Sequence, residues 1–257
     1  MKELNGRELA SFIKERQAHQ IRSMSKKPKL LIIRDNDNPV ITKYVELKKR
    51  YGEDIGIDVE DYLASKTDDI IKKMQTTDAD GVIIQLPLLD KSLTNDLCNQ
   101  IPPAKDVDGL GEHAAFDSAT ATAIHWLLTG YDINLADKKI AIVGRGKLVG
   151  APLYRMWTDS HYDVTVFHHG DDLSRLRDYD LIVTATGIPG LITSDMIAPG
   201  TCVVDAGTAS EDGVIKGDLA ADIRSRTDLS AITPIIGGVG PMTITCLFDH
   251  LLIATSK

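Results

Sequence analysis

The chain has 257 residues, enough for one large or two medium domains, and its 43% hydrophobic content supports a sizeable core. A formal net charge of −8 argues against a general nucleic-acid or anionic-membrane surface and confines any cationic site to a small pocket. Cys98, Cys202 and Cys246 are far apart and lack zinc-site spacing, so no metal is expected and a reduced, cytoplasmic interior is the expected compartment.

In chain order, Leu9, Phe12 and Ile13 stand among Lys14, Glu15 and Arg16, which predicts an amphipathic helix rather than a signal peptide. No apolar run approaches the roughly 20 residues needed to span a bilayer. Residues 29–33 (KLLII) predict a strand, followed by a charged segment through Tyr51, the run GIDVEDY, a helix over residues 67–74 and the run GVIIQLP. This βαβ rhythm favours an α/β architecture with mainly parallel strands. Gln85 ends an apolar run and precedes Pro87, and open α/β sheets place ligand groups at the carboxyl ends of such strands.

After a helix at residues 121–128 the rhythm restarts. Residues 139–143 predict a strand, GRGKLVG a glycine-rich turn, and residues 151–157 a helix. Residues 164–167, 181–184 and 202–204 predict further strands, and residues 242–254 a final apolar helix. Gly144, Gly146 and Gly150 form G-x-G-x-x-x-G between strand and helix, one residue longer than the usual dinucleotide fingerprint. Such a turn lets a pyrophosphate approach the backbone at a helix N-terminus, although a plain tight turn has the same composition. The strand VTVF ends in His168 and His169, and Arg145 sits in the turn; cations here favour NADP, while Asp171 and Asp172 just beyond leave NAD open. Near the end, ITPIIGGVGPMT packs Gly237, Gly238 and Gly240 with Pro234 and Pro241 into a turn shaped for close approach to the backbone.

Three further segments hold candidate chemistry: YVELK (Tyr44 to Lys48), QLPL (Gln85, Leu86, Pro87) and KDVDG (through Asp108). Tyr44 and Lys48 are four apart and share a helix face, so the ring can position or screen the ammonium. Read alone, Lys48 is a surface lysine and Asp108 a turn residue; a lysine handles protons near neutral pH only when burial or neighbours lower its pKa.

The set YVxxK, QLPL, KDVDG, VGRxxxVGxP, ATGxP and TPxxGGVGPMT, in this order over nearly the whole chain, resembles the bifunctional methylenetetrahydrofolate dehydrogenase/methenyltetrahydrofolate cyclohydrolase family of one-carbon metabolism. The resemblance implies an N-terminal α/β folate domain at residues 1–120 and a Rossmann-type parallel-sheet domain at residues 121–241. The final helix, residues 242–257, would return to the first domain, with substrate in the cleft and a homodimer formed through the nucleotide domains. It implies a folate substrate and NADP, with Lys48 as catalytic lysine, Tyr44 as its neighbour, Gln85 tuning the lysine and Asp108 holding the pterin. Leu86, Pro87, Gly237, Gly238 and Pro241 are implied around the folate. Thr120, Gly144, Arg145, Gly146, Val149, Gly150, His168, His169, Thr186, Gly187, Pro189 and Gly207 are implied around the cofactor.

The chain departs from the family pattern at several of these places. Ile41 stands for a serine, Ser118-Ala-Thr120-Ala for PCTP, Gly146 and His169 for serines, Ile236 for a proline, and Leu89 for the last proline of QLPLP. Most departures surround the cofactor or the cleft wall. Other readings of the same sequence are a dehydrogenase with little or no cyclohydrolase activity, another two-domain NAD(P)-dependent dehydrogenase, and a silent nucleotide-binding protein.

Overall fold

The computed structural model describes residues 1–207, 209–211 and 214–256. In chain order the elements are β1 (Lys2–Glu3), α1 (Gly6–Ser23), β2 (Lys29–Arg34), α2 (Pro39–Ile55), β3 (Asp58–Leu63), α3 (Thr67–Thr76), β4 (Gly81–Ile84) and α4 (Thr94–Asn99). There follow α5 (Ala119–Gly130), β5 (Lys139–Val143), α6 (Gly150–Asp159), β6 (Asp163–Phe167), β7 (Leu181–Thr184), β8 (Cys202–Asp205), β9 (Ala209–Glu211), β10 (Val214–Lys216), β11 (Ala231–Ile232) and α7 (Val239–Thr255). The chain divides into two compact units: Ser11–Ala119 with Ile244–Lys257, and Met1–Ala10 with Thr120–Thr243.

In the first of these units β3, β2 and β4 form a three-stranded sheet, all parallel, with β2 central. Leu30 to Ile33 are wholly buried, as expected of a central parallel strand covered on both faces. Helix α2 is well delimited. The Asn38 side chain accepts from Val40 N and Ile41 N, Pro39 opens the first turn, and Gly56 closes the helix at φ 87°. Ile41, Val45, Gly52 and Ile55 form its buried stripe. At Gly52 a side chain would put Cβ 2.4 Å from Val59 Cγ2, so glycine permits the helix to press onto β3.

From Ile244 onward α7 belongs to this unit, so the final helix does return to the N-terminal fold. Phe248 stacks on Tyr51 with centroids 4.9 Å apart, Gln17 Nε2 donates to Thr245 O at 3.0 Å, and His250 Nδ1 lies 2.9 Å from Val107 O. Phe248 is fully buried. Phe248→Ala is expected to cost about 3–5 kcal/mol, measured as a lowered denaturation midpoint with little change in m-value.

In the second unit six strands run in the order β1-β11-β8-β7-β5-β6, every pair parallel. The core packs Ala141, Val143, Ile182 and Val203 of the strands against Leu176, Ile192 and Ile223. The order reverses between β5 and β7, because β6 lies on one side of β5 and the later strands on the other. Ligands of open α/β sheets bind at the carboxyl ends of strands at this reversal. A separate antiparallel pair, β9 and β10, was not expected from the sequence.

The N-terminus corrects one expectation. Residues 1–10, placed by sequence in the first domain, lie in the unit of the six-stranded sheet, because Lys2 and Glu3 pair with Ala231 and Ile232. The start of α1 packs closely there: Arg7 N donates to Gly237 O at 2.9 Å, and a Cβ on Gly6 would stand 1.8 Å from Gly238 O.

Candidate active site

Helix α2 carries Tyr44 and Lys48 one turn apart, and both sit half-buried on the flank of its buried stripe. Gln85 directly follows β4, and its N–H donates to Ile33 O at 2.8 Å, which extends the pairing past the strand end and buries the side chain. The Leu86–Pro87 peptide is cis. A bridge between Val82 and Asp106 brings the KDVDG loop alongside β4.

The Asp106 carboxylate shapes that loop by accepting from Gly109 N at 3.0 Å, Leu110 N at 3.1 Å and Gly111 N at 2.7 Å. Gly109 itself takes φ 68°, and a side chain there would meet the Asp117 carbonyl at 2.2 Å. Sequence reasoning missed Asp106; a carboxylate just before a glycine-bearing turn was the available signal.

Lys48 Nζ donates to Gln85 Oε1 at 2.6 Å. Burial lowers the Lys48 pKa, and the nearby Asp108 charge opposes that shift. Burial pushes the Asp108 carboxyl up to about 6; Lys48 pulls it back down, and Asp106 adds to the rise. Lysine, glutamine and aspartate therefore form one electrostatically coupled cluster at the end of β4, with a cation that loses its proton more readily than a free lysine. Leu86 is half-buried and Pro87 exposed beside it. Gly237, Gly238 and Pro241 lie in the other compact unit.

In the six-stranded unit the glycine-rich turn stands at the sheet reversal. Gly144 N donates to Phe167 O at 2.9 Å on one side, and Ala185 N donates to Val143 O at 2.8 Å on the other. Gly144 takes φ 99° and a Cβ there would be 2.7 Å from Ala185 O, while a Cβ on Gly150 would be 2.0 Å from Gly144 O. Both glycines are thus required for the turn to pass between β7 and the first residue of α6. Nothing lies within 4 Å of a Cβ on Gly146, so that position is open space in front of the helix N-terminus.

Val149 precedes α6, and Arg145 extends over the Tyr154 ring at 5.8 Å from its centroid. His168 and His169 are exposed at the end of β6. The two acids that left NAD open are both committed to their own loop: Asp171 accepts from His168 N at 2.7 Å and Asp172 from Ser174 N at 3.0 Å. Thr186, Gly187 and Pro189 follow β7, with Gly187 at φ 70° and exposed. Gly207 is buried, and a Cβ there would fall 2.0 Å from Asp218 Oδ1. Thr120 is half-buried in the first turn of α5.

A parallel sheet with a glycine-rich turn at its reversal, and a separate α/β unit bearing a lysine–glutamine–aspartate cluster, define a two-domain enzyme of the nicotinamide-nucleotide-dependent class. The chain belongs to the tetrahydrofolate dehydrogenase/cyclohydrolase family: its catalytic-domain profile matches residues 4–108 and its NAD(P)-binding-domain profile residues 118–257. A bifunctional protein FolD of Staphylococcus carnosus is 32% identical over 98% of this chain and 95% of its own. The bifunctional FolD methylenetetrahydrofolate dehydrogenase/cyclohydrolase of Campylobacter jejuni superposes with a TM-score of 0.92 at 32% identity, covering 100% of this chain and 99% of that one. The Trypanosoma brucei methylenetetrahydrofolate dehydrogenase-cyclohydrolase, solved with NADP and an inhibitor, gives a TM-score of 0.87 at 25% identity over 98% and 96% of the two chains.

Proposed function

We propose that the protein oxidises 5,10-methylenetetrahydrofolate to 5,10-methenyltetrahydrofolate with NADP and hydrolyses the product to 10-formyltetrahydrofolate. The observation that carries the reading is the 2.6 Å Lys48–Gln85 hydrogen bond in a site where burial lowers the lysine pKa. Family membership supports both activities.

Hydration adds water to the methenyl carbon, releases a proton and opens the ring by carbon–nitrogen cleavage. Lys48 handles these protons, and its lowered pKa brings the neutral amine closer to working pH. Gln85 fixes the ammonium in place and Asp108 stands near enough to bias its charge. Tyr44 offers a flat ring beside the folate. The Asp108 carboxylate accepts from the amino-pyrimidine of the pterin.

NADP, when bound, supplies the hydride acceptor. The glycine-rich turn holds its phosphates, with Arg145, His168 and His169 as the cationic side chains for a 2′-phosphate. Gly144 and Gly150 let the turn pack tightly between β7 and α6, and Gly146 leaves the open space that such a group needs. Among the described residues no helix is long and apolar enough to cross a membrane. A cytoplasmic homodimer belongs to the same reading and is supported by the family pattern; size-exclusion chromatography with light scattering tests it.

The first test is ultraviolet absorbance with tetrahydrofolate, formaldehyde and either NADP or NAD, with an acid quench to separate methenyl product from reduced cofactor. NADP-dependent turnover is expected; failure with both dinucleotides in folded protein would overturn the reading. A pH profile adds a second expectation. Only the ionised Asp108 accepts two pterin donors, and its carboxyl titrates at about 6. As pH falls below that value the folate KM is expected to rise, approaching about tenfold per unit for a one-proton loss. Asp108→Asn, which does not titrate, should raise KM in alkaline buffer and remove the break.

A further inference from the structure

We propose that Asp218 is a positioning residue for the dinucleotide: its buried carboxylate holds the turn at residues 186–188, and the Asp205–Arg224 pair holds Asp218. The inference rests on the reading that this turn lines the cofactor. Asp218 follows the hairpin of β9 and β10, far in sequence from the turn it controls, and none of the family-like motifs includes it.

Asp218 is 0% exposed. Its Oδ2 accepts from Thr186 N at 2.7 Å and its Oδ1 from Ile188 N at 3.0 Å. Those two N–H groups flank Gly187, which carries the positive φ of the turn, so the carboxylate clamps the bend from beneath while Gly187 and Ile188 stay exposed above it. Asp218 is in turn held by its own backbone. Asp218 N donates to Asp205 Oδ1 at 3.0 Å, and Asp205, at the end of β8, also takes Thr184 Oγ1 at 3.2 Å and Arg224 Nη2 at 2.6 Å. Arg224 reaches on to the Thr233 carbonyl, and Asp205 N donates to Thr233 Oγ1 at 2.9 Å.

Two glycines are fitted to these carboxylates. A Cβ on Gly207 would lie 2.0 Å from Asp218 Oδ1, and one on Gly217 would lie 2.0 Å from Asp205 Oδ2. Two neighbouring buried acids, of which only Asp205 is paired with an arginine, are costly to keep unless their hydrogen bonds are satisfied. Burial raises the Asp218 pKa and the neighbouring Asp205 raises it further, while the Thr186 and Ile188 N–H groups lower it. The network therefore trades desolvation for a fixed geometry at the carboxyl end of β7, where the sheet reverses and the candidate cofactor residues Thr186, Gly187, Pro189 and Gly207 converge.

Asp218→Asn tests this, because the amide is isosteric yet points a donor at one of the two N–H groups it should accept. The readouts are KM and kcat for NADP, the hydrolysis of methenyltetrahydrofolate as a dinucleotide-independent measure of folded enzyme, and the thermal midpoint. KM for NADP is expected to rise about tenfold or more, with methenyl hydrolysis and folate KM changed less than about twofold. A purely structural role would lower the thermal midpoint and the active fraction but leave KM for NADP within about twofold, and that result overturns the proposal. Should the variant not fold, Arg224→Lys is read in the same way, with a smaller expected rise of about threefold and the same overturning result. A wild-type protein inactive with both dinucleotides would instead sink the cofactor reading itself.

Discussion

Lys48→Met is expected to lower hydrolysis of methenyltetrahydrofolate by about 10²- to 10⁴-fold, the range that a positioned proton-transfer group contributes. Methionine keeps the length and apolar stem of lysine and loses only the nitrogen, so the half-buried flank of α2 remains filled. Gln85 loses its 2.6 Å donor, while its own Nε2 keeps its bond to Leu86 O at 3.0 Å. The thermal midpoint should therefore stay close to the wild-type value, and KM for NADP should not move. Dehydrogenase activity should fall less than the hydrolytic step, because hydride transfer depends mainly on positioning. Stopped-flow decay of the methenyl chromophore decides the matter; a decay within about tenfold of wild type would remove Lys48 from proton transfer. In the unmutated enzyme, hydrolysis should rise with pH through the lowered Lys48 pKa, because the neutral amine is the base.

Gly150→Val is expected to cut NADP-dependent oxidation by at least about 100-fold, since misplacement of about 1 Å at a bound reactant already costs that much. Any Cβ at this position falls 2.0 Å from Gly144 O and 2.9 Å from its carbonyl carbon, both backbone atoms that have no rotamer to escape into. The first turn of α6 must then swing away from the end of β5, carrying the positive end of the helix off the phosphate position. Methenyl hydrolysis needs no dinucleotide and should persist in the same preparation, giving an internal measure of folded enzyme. Loss of both activities with a collapsed thermal midpoint would instead mean that the turn is needed to fold its unit. Fluorescence titration with NADPH separates the two outcomes.

The legible parts of the fold were the buried strands. β2, β4, β5, β7 and β8 read as short apolar runs because each is a parallel strand covered on both faces, and the predicted limits of β5 and β7 coincide with those observed. β1 and β11 are two residues each, too short to carry any period, and their pairing joins positions more than two hundred residues apart. That pairing is why the first ten residues fell on the wrong side of the predicted domain boundary. The predicted helix at residues 242–254 begins earlier, at Val239, inside the glycine-rich turn. There the sequence looked like a breaker, yet Gly240 has open space around it and tolerates helix.

The site was legible only in part. No spacing joins Lys48 on α2 to Gln85 after β4; the link came from the resemblance, and the hydrogen bond between them is a feature of the fold. Asp106, Asp205, Asp218 and Arg224 escaped for a physical reason. Each works by satisfying backbone N–H groups or another charge at a distance, and in sequence each is an ordinary polar residue near a turn. Cofactor choice sharpened for the opposite reason, because Asp171 and Asp172 proved to be local loop fasteners rather than free acids at the end of β6.

The order in which the chain leaves the ribosome meets an awkward geometry in α7. Its residues from Ile244 onward complete the unit built by Ser11–Ala119, but they are made only after the entire intervening nucleotide-binding segment. Until then Tyr51 lacks the Phe248 ring and Gln17 lacks the Thr245 carbonyl, so the nascent N-terminal unit carries an uncovered apolar groove. The sheet of the other unit waits in the same way, since β1 is made more than two hundred residues before its partner β11. Both units therefore finish nearly together, and ribosome-bound chains halted before α7 should be sensitive to protease and attractive to chaperones.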